Sequence, residues 1–540
     1  MASVKFPKKD FEKYIKLTKD VEEKISLFGT HVESSTDSEL EIEVLPNRPD
    51  LFSMQGCVRA ISAFIGKEPG LKRYSVISSG EKLIVKKPLP KNWIYAYACI
   101  VKGVKFDDAK IREVIQIQEK LGATLLRNRK KGGIGLYPLD KISFPITFKG
   151  INPDEIKFRP LEYPESLTGR QILTRHPTGR EYAHLVADWD VFPVFIDDQK
   201  KIMSMPPIIN SHDVGKINGD TRNVFVECTG TDSNAIKKAL IILVTALAEM
   251  GGKIYSIECI QQNGEKESFP NLNPEKMKIS LENTNALLGL NLKESDLPKL
   301  LAKMGHEYKK GVVSFALWRT DILHEVDIIE DIAIAYGYDK LIPEIPKVST
   351  IGEESPTGRV KSKIADLLTG LQFLEISSYH LIKEDEIKRN KNLDKIEVEN
   401  SKTEYKYLRP SLLLPTLRIF SENKDHEYPQ NIFEIGTVFQ RQAKTETGID
   451  EKEHLLVACS PANFTQLKQV LDYLFRTFNL NYTLSETVEE GFIEGRAGNI
   501  FVDGSSIGII GEMHPETLRE WGIKMPVALF EIDLKLFLRK

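Results

Sequence analysis

Apolar and polar positions repeat with two different periods along the chain, and each period predicts one type of element. Residues 39–44 (ELEIEV) alternate between acidic and apolar side chains, as expected for a strand with one buried face. Helical spacing of apolar residues instead predicts helices over 11–27, 111–121, 235–250 and 324–336. A mixture of both periods within one chain predicts an α+β protein.

Polar stretches rich in Pro and Gly interrupt these segments at three places, over 66–93, 261–276 and 343–358. At roughly 100–200 residues per domain, 540 residues are enough for about three to five domains. We therefore predict an α+β multidomain protein with four domains, over residues 1–85, 86–272, 273–346 and 347–540.

Composition excludes several classes of protein. A net charge of −3, from 74 basic and 77 acidic residues, creates no overall field that would attract the chain to nucleic acid or to a membrane. The five cysteines form no CxxC pair, which favours reduced thiols over a zinc site. The most apolar segment, 239–250, is shorter than the roughly 20 residues of a membrane span. We expect a cytoplasmic protein.

Acidic residues cluster on one predicted helix and just before it. Asp327, Glu330 and Asp331 share a helical face at positions i, i+3 and i+4, and Asp321 lies one short turn upstream. Carboxylates this close repel one another unless a cation neutralises them, and oxygen ligands suit Mg²⁺. The alternative is a solvated helix whose first-turn acids interact favourably with the helix dipole.

Two further segments are candidates for binding. Residues 206–232 are dense in Asn, Ser, Thr and acids between apolar runs, and such side chains can line a pocket that binds a substrate hydroxyl or can simply form turns. The basic run RNRKKGG (127–133) can contact phosphates or be a solvated loop. Residues 46–51 (PNRPDL) contain Arg48 and Asp50 between two prolines, which favours a rigid structural turn.

Five motifs carry a resemblance to a known family: PNRPDL (46–51), PPIIN (206–210), NVFVECTGTD (223–232), TDI with IIEDIAIAYGYD (320–339), and LRPSLLLPTL (408–417). The chain resembles, over essentially its whole length, the beta subunits of phenylalanyl-tRNA synthetases of the archaeal and eukaryotic type. The resemblance implies an N-terminal α/β domain, an editing domain, a winged-helix-like DNA-binding-like domain, and a degenerate class II synthetase domain built on an antiparallel sheet.

The resemblance also implies partners and sites. It implies a complex of two alpha and two beta chains that uses ATP to attach phenylalanine to tRNA(Phe), with the adenylate site on alpha. It assigns Mg²⁺, shared with alpha, to Asp321, Asp327, Glu330 and Asp331. Its editing-pocket residues correspond here to Arg127, Arg129, Asn210, Ser211, Thr221, Asn223, Glu227, Thr229, Thr231 and Asp232.

This chain departs from the family pattern at two places. Tyr137, Pro138, Leu139 and Asp140 stand where the family has a His-Asp-Leu-Asp stretch, so we expect a different pocket entrance. The predicted strand over 431–440 (NIFEIGTVFQ) lacks the Arg that would bind ATP, and the glycine-rich segment GIIGEMHPE also lacks a following catalytic Arg. Without these guanidinium groups to neutralise charge at the adenylate phosphate, the last domain should be catalytically silent.

A physical argument explains why such a subunit should edit. An apolar pocket for phenylalanine rejects an analogue with one more hydroxyl only weakly, by roughly 100-fold. A second pocket with a buried acceptor such as Glu227 or Asp232 would bind the tyrosine hydroxyl, and phenylalanine would leave that acceptor unsatisfied at about 1–3 kcal/mol. Two other functions remain open: a free-standing aminoacyl-tRNA deacylase and a non-catalytic RNA-binding scaffold.

Overall fold

The computed structural model describes residues 2–346, 348–349, 351–390 and 393–537. The chain divides into two compact units, Met1–Glu344 and Ile345–Lys540. Both combine helices with mainly antiparallel sheets, which confirms the predicted α+β multidomain class. Among the described residues, no helix is long and apolar enough to cross a membrane.

The first unit begins with a three-stranded antiparallel sheet in the order β1-β3-β2. The predicted strand over 39–44 is present as β3, and its apolar residues Leu40, Ile42 and Val44 are fully buried. The elements of this region are β1 (Ala2–Pro7), α1 (Lys8–Glu12), α2 (Lys19–Leu27), β2 (His31–Ser35), β3 (Glu39–Val44) and α3 (Met54–Phe64). Before α3, Arg48 binds Asp50 through two 2.9 Å hydrogen bonds, so the PNRPDL motif forms a rigid turn.

A ten-stranded sheet forms the centre of the first unit, in the order β12-β11-β10-β7-β4-β14-β5-β13-β6, with β15 paired to β14. Its strands are β4 (Val76–Val85), β5 (Tyr95–Lys102), β6 (Gly132–Pro138), β7 (Ile146–Ile151), β10 (Phe192–Ile196), β11 (Ile202–Met205), β12 (Ile209–Asn210), β13 (Asn223–Gly230), β14 (Lys253–Ile260) and β15 (Lys266–Phe269). The other elements of this region are α4 (Asp108–Ala123), β8 (Lys157–Phe158), β9 (Leu167–Thr168), α5 (Gly169–Arg175), α6 (Pro177–Tyr182), α7 (His212–Gly215) and α8 (Ser233–Glu249).

This sheet corrects the first predicted domain boundary. Strand β4 runs parallel to both β14 and β7 in the interior of the sheet, so it belongs with the residues that follow 85 rather than with those that precede it. Helix α8 packs on β5 and β13, and its apolar residues are buried from Ala235 to Leu247. The most apolar segment of the chain is therefore a core helix, as predicted.

A smaller module completes the first unit. Its three strands form an antiparallel sheet in the order β16-β18-β17, and α11 packs on α9 and α10. The elements are β16 (Glu275–Lys278), α9 (Leu281–Leu288), α10 (Leu297–Lys303), β17 (Glu307–Lys309), β18 (Val312–Phe315) and α11 (Glu325–Tyr336).

The second unit is built on a seven-stranded sheet in the order β19-β23-β24-β28-β27-β26-β25. Alternate residues of β24 contribute to separate apolar clusters, Leu455 and Val457 to one and Leu456 and Ala458 to the other, so both faces of this sheet are covered. The elements are α12 (Pro356–Gly370), β19 (Leu374–Glu375), β20 (Leu381–Lys383), α13 (Glu384–Lys388), β21 (Ile396–Glu397), β22 (Tyr405–Leu408), α14 (Leu413–Glu422), β23 (Gln430–Arg441), β24 (Ile449–Ser460), α15 (Phe464–Thr477), β25 (Thr483–Glu486), β26 (Phe492–Val502), β27 (Ser505–Met513), α16 (Pro515–Glu520) and β28 (Ala528–Asp533).

Candidate functional site

A cavity of about 210 Å³ lies where the two ends of the ten-stranded sheet approach each other. The ends are linked by side chains: the hydroxyl of Tyr137 on β6 lies 2.8 Å from that of Ser204 on β11, and Asn210 on β12 donates to the carbonyl of Leu136 on β6. We call this space the sheet-end cavity. Its lining comes from α4, β6, β13 and the loops beside them: Ile115, Gln118, Glu119, Gly122, Leu126, Arg129, Gly132, Gly133, Ile134, Leu161, Pro206, Pro207, Ile208, Ile209, Asn210 and Glu227.

Glu227 is the buried carboxyl of this cavity. It lies on β13 opposite Gly135 of β6, and a Cβ atom at position 135 would lie only 2.2 Å from Glu227 Oε1 and 2.5 Å from the Tyr137 hydroxyl. Glycine at 135 therefore leaves room for both side chains to meet above the strand. Gly133, two residues earlier on β6, lies instead against Pro207, which a Cβ at 133 would approach to 3.2 Å.

The surroundings of Glu227 favour its neutral form. The residue is 2% exposed, and its Oε1 accepts a hydrogen bond from the Tyr137 hydroxyl at 3.0 Å. Its Oε2 has no hydrogen-bond partner among the described residues. Burial raises the pKa of Glu227 to about 8, and the opposing bond from Tyr137 lowers it only in part. The group is therefore mostly protonated at neutral pH.

Of the ten predicted pocket residues, the structure brings Arg129, Asn210 and Glu227 to the sheet-end cavity. The Arg129 guanidinium lies 4.0 Å from the ring of Tyr182 and donates to the carbonyls of Pro207 and Ile208. Arg129 thus holds the cavity wall through its Nη1. Its neighbour Arg127 is exposed and does not line the cavity.

The other predicted pocket residues lie outside the cavity lining and stabilise nearby turns and strands. Asp232 caps the N-terminus of α8 and forms a 2.9 Å ion pair with Lys131. Each of the remaining five has a structural contact of its own: Ser211 at the start of α7, Thr221 in a turn with Asn218, Asn223 to the Gly103 amide, Thr229 to the indole of Trp93, and Thr231 to the Lys131 carbonyl.

Tyr137, Ser204 and Gly135 are not among the predicted pocket residues, although all three determine the surroundings of Glu227. The departure at 137–140 is a sequence signal for the first of them. Ser204 gives no signal of its own, because its role depends on the opposite end of the sheet reaching β6.

The predicted acidic cluster is split among different partners. The Arg319 guanidinium donates to Asp321 at 2.7 and 3.0 Å and to Asp331 at 2.7 Å, and His306 Nε2 lies 2.6 Å from Asp331. We call these four residues the Arg319 network. Burial alone would raise the pKa of Asp331, but Arg319 and His306 outweigh it and lower that pKa to about 2.

The two remaining acids face elsewhere. Asp327 Oδ2 accepts from the amides of Leu323 and His324 at 2.7 Å and so caps α11, while Glu330 is exposed. Within the described ranges, no group of three or more acidic, His or Cys side chains is arranged to hold a metal ion. This arrangement does not fit a Mg²⁺ bound by all four acids, since Arg319 already neutralises two of them. Magnesium at these residues stays a prediction.

A second buried carboxyl lies in the sheet of the second unit. Glu434 on β23 is 2% exposed and pairs with Arg409, 1% exposed, at 2.7 Å. The same guanidinium donates to Ser378 and to the carbonyl of Thr437, and a Cβ at Gly436 would lie 2.4 Å from it. Arg409 is therefore buried and bonded within the fold through Nε and Nη1.

Comparison with known proteins decides the family. Residues 277–338 match the tRNA synthetase B5 domain, and residues 342–534 match the phenylalanyl tRNA synthetase beta chain CLM domain. The phenylalanine–tRNA ligase beta subunit of Pyrococcus furiosus is 38% identical over 500 residues, which cover 91% of this chain and 90% of that protein. The chain belongs to the phenylalanine–tRNA ligase beta subunit family.

Two further relatives agree with this assignment. The beta subunit of Archaeoglobus fulgidus is 35% identical over 532 residues, covering 95% of this chain and 94% of that protein. The crystal structure of an N-terminal fragment of the phenylalanyl-tRNA synthetase beta subunit from Pyrococcus horikoshii has a TM-score of 0.60 and 34% identity, and the match covers 62% of this chain and 99% of the fragment. The family predicted from the motifs is thus confirmed.

Proposed function

We propose that this chain supports the ATP-dependent attachment of phenylalanine to tRNA(Phe) in a complex of two alpha and two beta chains, and that its sheet-end cavity hydrolyses Tyr-tRNA(Phe). The family assignment supports the first part. The second rests on one observation: Glu227, a buried carboxyl in the cavity wall, has one oxygen without a partner among the described residues.

This observation favours a ligand that carries a hydroxyl on an apolar ring. The phenol of tyrosine can exchange a hydrogen bond with Glu227 Oε2, whereas phenylalanine leaves that oxygen unsatisfied. An unsatisfied buried polar group costs about 1–3 kcal/mol, which corresponds to roughly a 5- to 150-fold preference for tyrosine. The cavity therefore has a preference opposite to that of a site that binds phenylalanine for synthesis.

We infer that Glu227 supplies selectivity and that water attacks the aminoacyl ester. Hydrolysis of an ester needs a positioned water and donors for the developing oxyanion, which backbone amides and the Asn210 amide can supply. Because burial keeps Glu227 mostly protonated, it carries no full negative charge that would repel the tRNA phosphates.

We further propose that aminoacyl-adenylate chemistry belongs to the alpha chain. A class II active site needs guanidinium groups that neutralise phosphate. In the second unit Arg409 pairs with Glu434, and Arg441 at the end of β23 lies beside Asp394 at 3.9 Å. The buried guanidinium of Arg409 is thus committed to a carboxylate of this chain.

Deacylation of purified Tyr-tRNA(Phe) tests the editing proposal. The chain would be reconstituted with its alpha subunit, and Glu227→Ala would be compared with Asp232→Ala, a matched control because Asp232 lies outside the cavity lining. We expect Glu227→Ala to lose most of the preference for Tyr-tRNA(Phe) over Phe-tRNA(Phe), and Asp232→Ala to keep it. Equal preferences in all three proteins would refute the editing assignment.

The same assay separates the alternative functions. Deacylation by this chain alone, at the rate of the complex, would favour a free-standing deacylase. Binding of tRNA without any deacylation, in the presence or absence of alpha, would favour an RNA-binding scaffold.

A further inference from the structure

Behind the lining of the sheet-end cavity, a phenol of the protein contacts the carboxyl that we assign to tyrosine recognition. Tyr137 is fully buried on β6, and its hydroxyl lies 3.0 Å from Glu227 Oε1, 2.8 Å from Ser204 Oγ and 3.4 Å from Asn210 Oδ1. Tyr137 is therefore a tyrosine of the protein itself that contacts one oxygen of Glu227, while the other oxygen has no hydrogen-bond partner among the described residues.

Counting protons gives these contacts a direction. A phenol carries one proton, so it can donate to only one of its three neighbours. A serine hydroxyl can rotate and donate, whereas Oε1 of Glu227 has Tyr137 as its hydrogen-bond donor. One arrangement that satisfies these groups is a chain in which Ser204 donates to Tyr137 and Tyr137 donates to Glu227 Oε1. The carboxyl proton of Glu227 then lies on Oε2.

These hydrogen bonds restrict the side chain of Glu227, which would otherwise rotate. The last torsion of a glutamate side chain is broad, so a carboxyl without partners can turn either oxygen toward a ligand. With Oε1 fixed by Tyr137, Oε2 keeps one direction before the ligand arrives. Binding a second phenol then loses less side-chain freedom, and the difference between tyrosine and phenylalanine becomes larger.

We propose that Tyr137 is a positioning residue that sets the selectivity of the sheet-end cavity for tyrosine over phenylalanine. It does so by fixing the Glu227 carboxyl, which then bridges the phenol of Tyr137 and the phenol of the substrate. The proposal rests on the proposed editing function. Tyr137 itself need not contact the substrate, because it does not line the cavity.

Replacing Tyr137 by phenylalanine removes only the hydroxyl. The ring of Tyr137 packs against Phe225 at a centroid distance of 5.8 Å, and the variant Tyr137→Phe keeps that contact. For one hydrogen bond, we expect the ratio of kcat/KM for Tyr-tRNA(Phe) to that for Phe-tRNA(Phe) to fall by about 3- to 10-fold in the reconstituted complex. A merely structural role would lower both values together and leave the ratio unchanged.

A matched control is available in the same sheet. Tyr97 on β5 is also buried and bonds through its hydroxyl to Ser233 at 3.1 Å, so Tyr97→Phe removes a comparable bond away from Glu227. We expect its ratio to equal that of the parent. If Tyr137→Phe does not fold, Ser204→Ala serves instead, because it removes the donor to Tyr137 and should lower the ratio by about 2- to 3-fold.

Glu227→Ala, measured in the same series, separates this proposal from the one on which it rests. If Glu227→Ala abolishes the preference while Tyr137→Phe keeps the parental ratio, Tyr137 has no positioning role and editing stands. If Glu227→Ala keeps the preference, the assignment of tyrosine recognition to Glu227 fails, and the Tyr137 proposal fails with it.

Discussion

The protonation of Glu227 predicts that its replacement by glutamine changes how stability depends on pH. Burial raises the pKa of Glu227 from 4.5 to about 8 in the folded chain. Between these values the folded protein keeps the proton and the unfolded protein releases it. The stabilising contribution of Glu227 is therefore present below about pH 4.5 and is lost as the pH rises through 8. Glutamine has the same shape and cannot ionise.

The magnitude follows from the pKa change. Each pH unit between the two values corresponds to about 1.4 kcal/mol, so the whole change is worth about 5 kcal/mol. From pH 5.5 to pH 7.5 the parent should lose about 3 kcal/mol of unfolding free energy relative to Glu227→Gln. A change in hydrogen bonding with Tyr137 shifts this difference by a constant and does not alter its slope.

Urea unfolding at several pH values measures the slope. Tryptophan fluorescence is a suitable signal because the indole of Trp93 bonds to Thr229 on the same strand as Glu227. Glu155→Gln, at an exposed position, is the control and should run parallel to the parent. A difference between parent and Glu227→Gln that stays constant from pH 5.5 to 7.5 would show that Glu227 titrates normally and would refute the reasoning.

Three further outcomes are expected. Arg319→Ala leaves Asp321 and Asp331 without their guanidinium and should lower the unfolding free energy by about 3–5 kcal/mol. An unchanged midpoint of urea unfolding would contradict the Arg319 network. Gly135→Ala places a methyl 2.2 Å from Glu227 Oε1 and should weaken deacylation of Tyr-tRNA(Phe) several-fold, while aminoacylation by the complex is kept. Because Asp327 caps a helix, Asp327→Ala should change the unfolding free energy by about 1 kcal/mol. Elemental analysis of the purified chain should show the same magnesium content in this variant as in the parent. A loss of bound magnesium would restore the metal assignment.

Sequence periodicity predicts most of the individual elements, because burial of one face imposes a period on neighbouring residues. The strand over 39–44 and the helices over 235–250 and 324–336 correspond to β3, α8 and α11. The helix inferred from apolar spacing over 11–27 is instead two helices, α1 and α2, and Thr18 caps the second by accepting from the Val21 amide. Apolar spacing continues across the break, so capping chemistry, rather than periodicity, marks it.

Sheet membership is less predictable because it depends on residues far apart in the chain. Strand β4 lies within the polar stretch over 66–93, whose Pro and Gly residues favour a linker, yet it pairs with β14 more than 150 residues later. Loop composition reports local conformation and carries no information about a distant partner strand. The same limit hides Ser204, whose hydroxyl meets Tyr137 only when the two ends of the sheet approach each other.

The acidic cluster shows why charge spacing alone does not identify a metal. The inference that close carboxylates need a cation is physically sound, and Asp321 and Asp331 do have one. That cation is the guanidinium of Arg319, two residues before Asp321 in sequence. A basic residue so close to the acids is a signal that pattern analysis can use: it offers neutralisation without an ion.

Two buried glutamates of this chain differ in how many of their carboxylate oxygens lack a hydrogen-bond partner. Glu434 and Glu227 are equally buried on sheet strands, but a guanidinium that also bonds two other groups neutralises Glu434. A neutral phenol holds only one oxygen of Glu227 and leaves the second without a partner in the described structure. A carboxyl whose hydrogen bonds are all made gains nothing from a ligand hydroxyl, whereas a carboxyl with one oxygen unbonded gains a hydrogen bond. Recognition of tyrosine therefore requires a carboxyl with an incomplete set of hydrogen-bond partners. Under the proposed editing function, it is the unmet hydrogen bond of Glu227, and not its burial, that separates it from the structural Glu434.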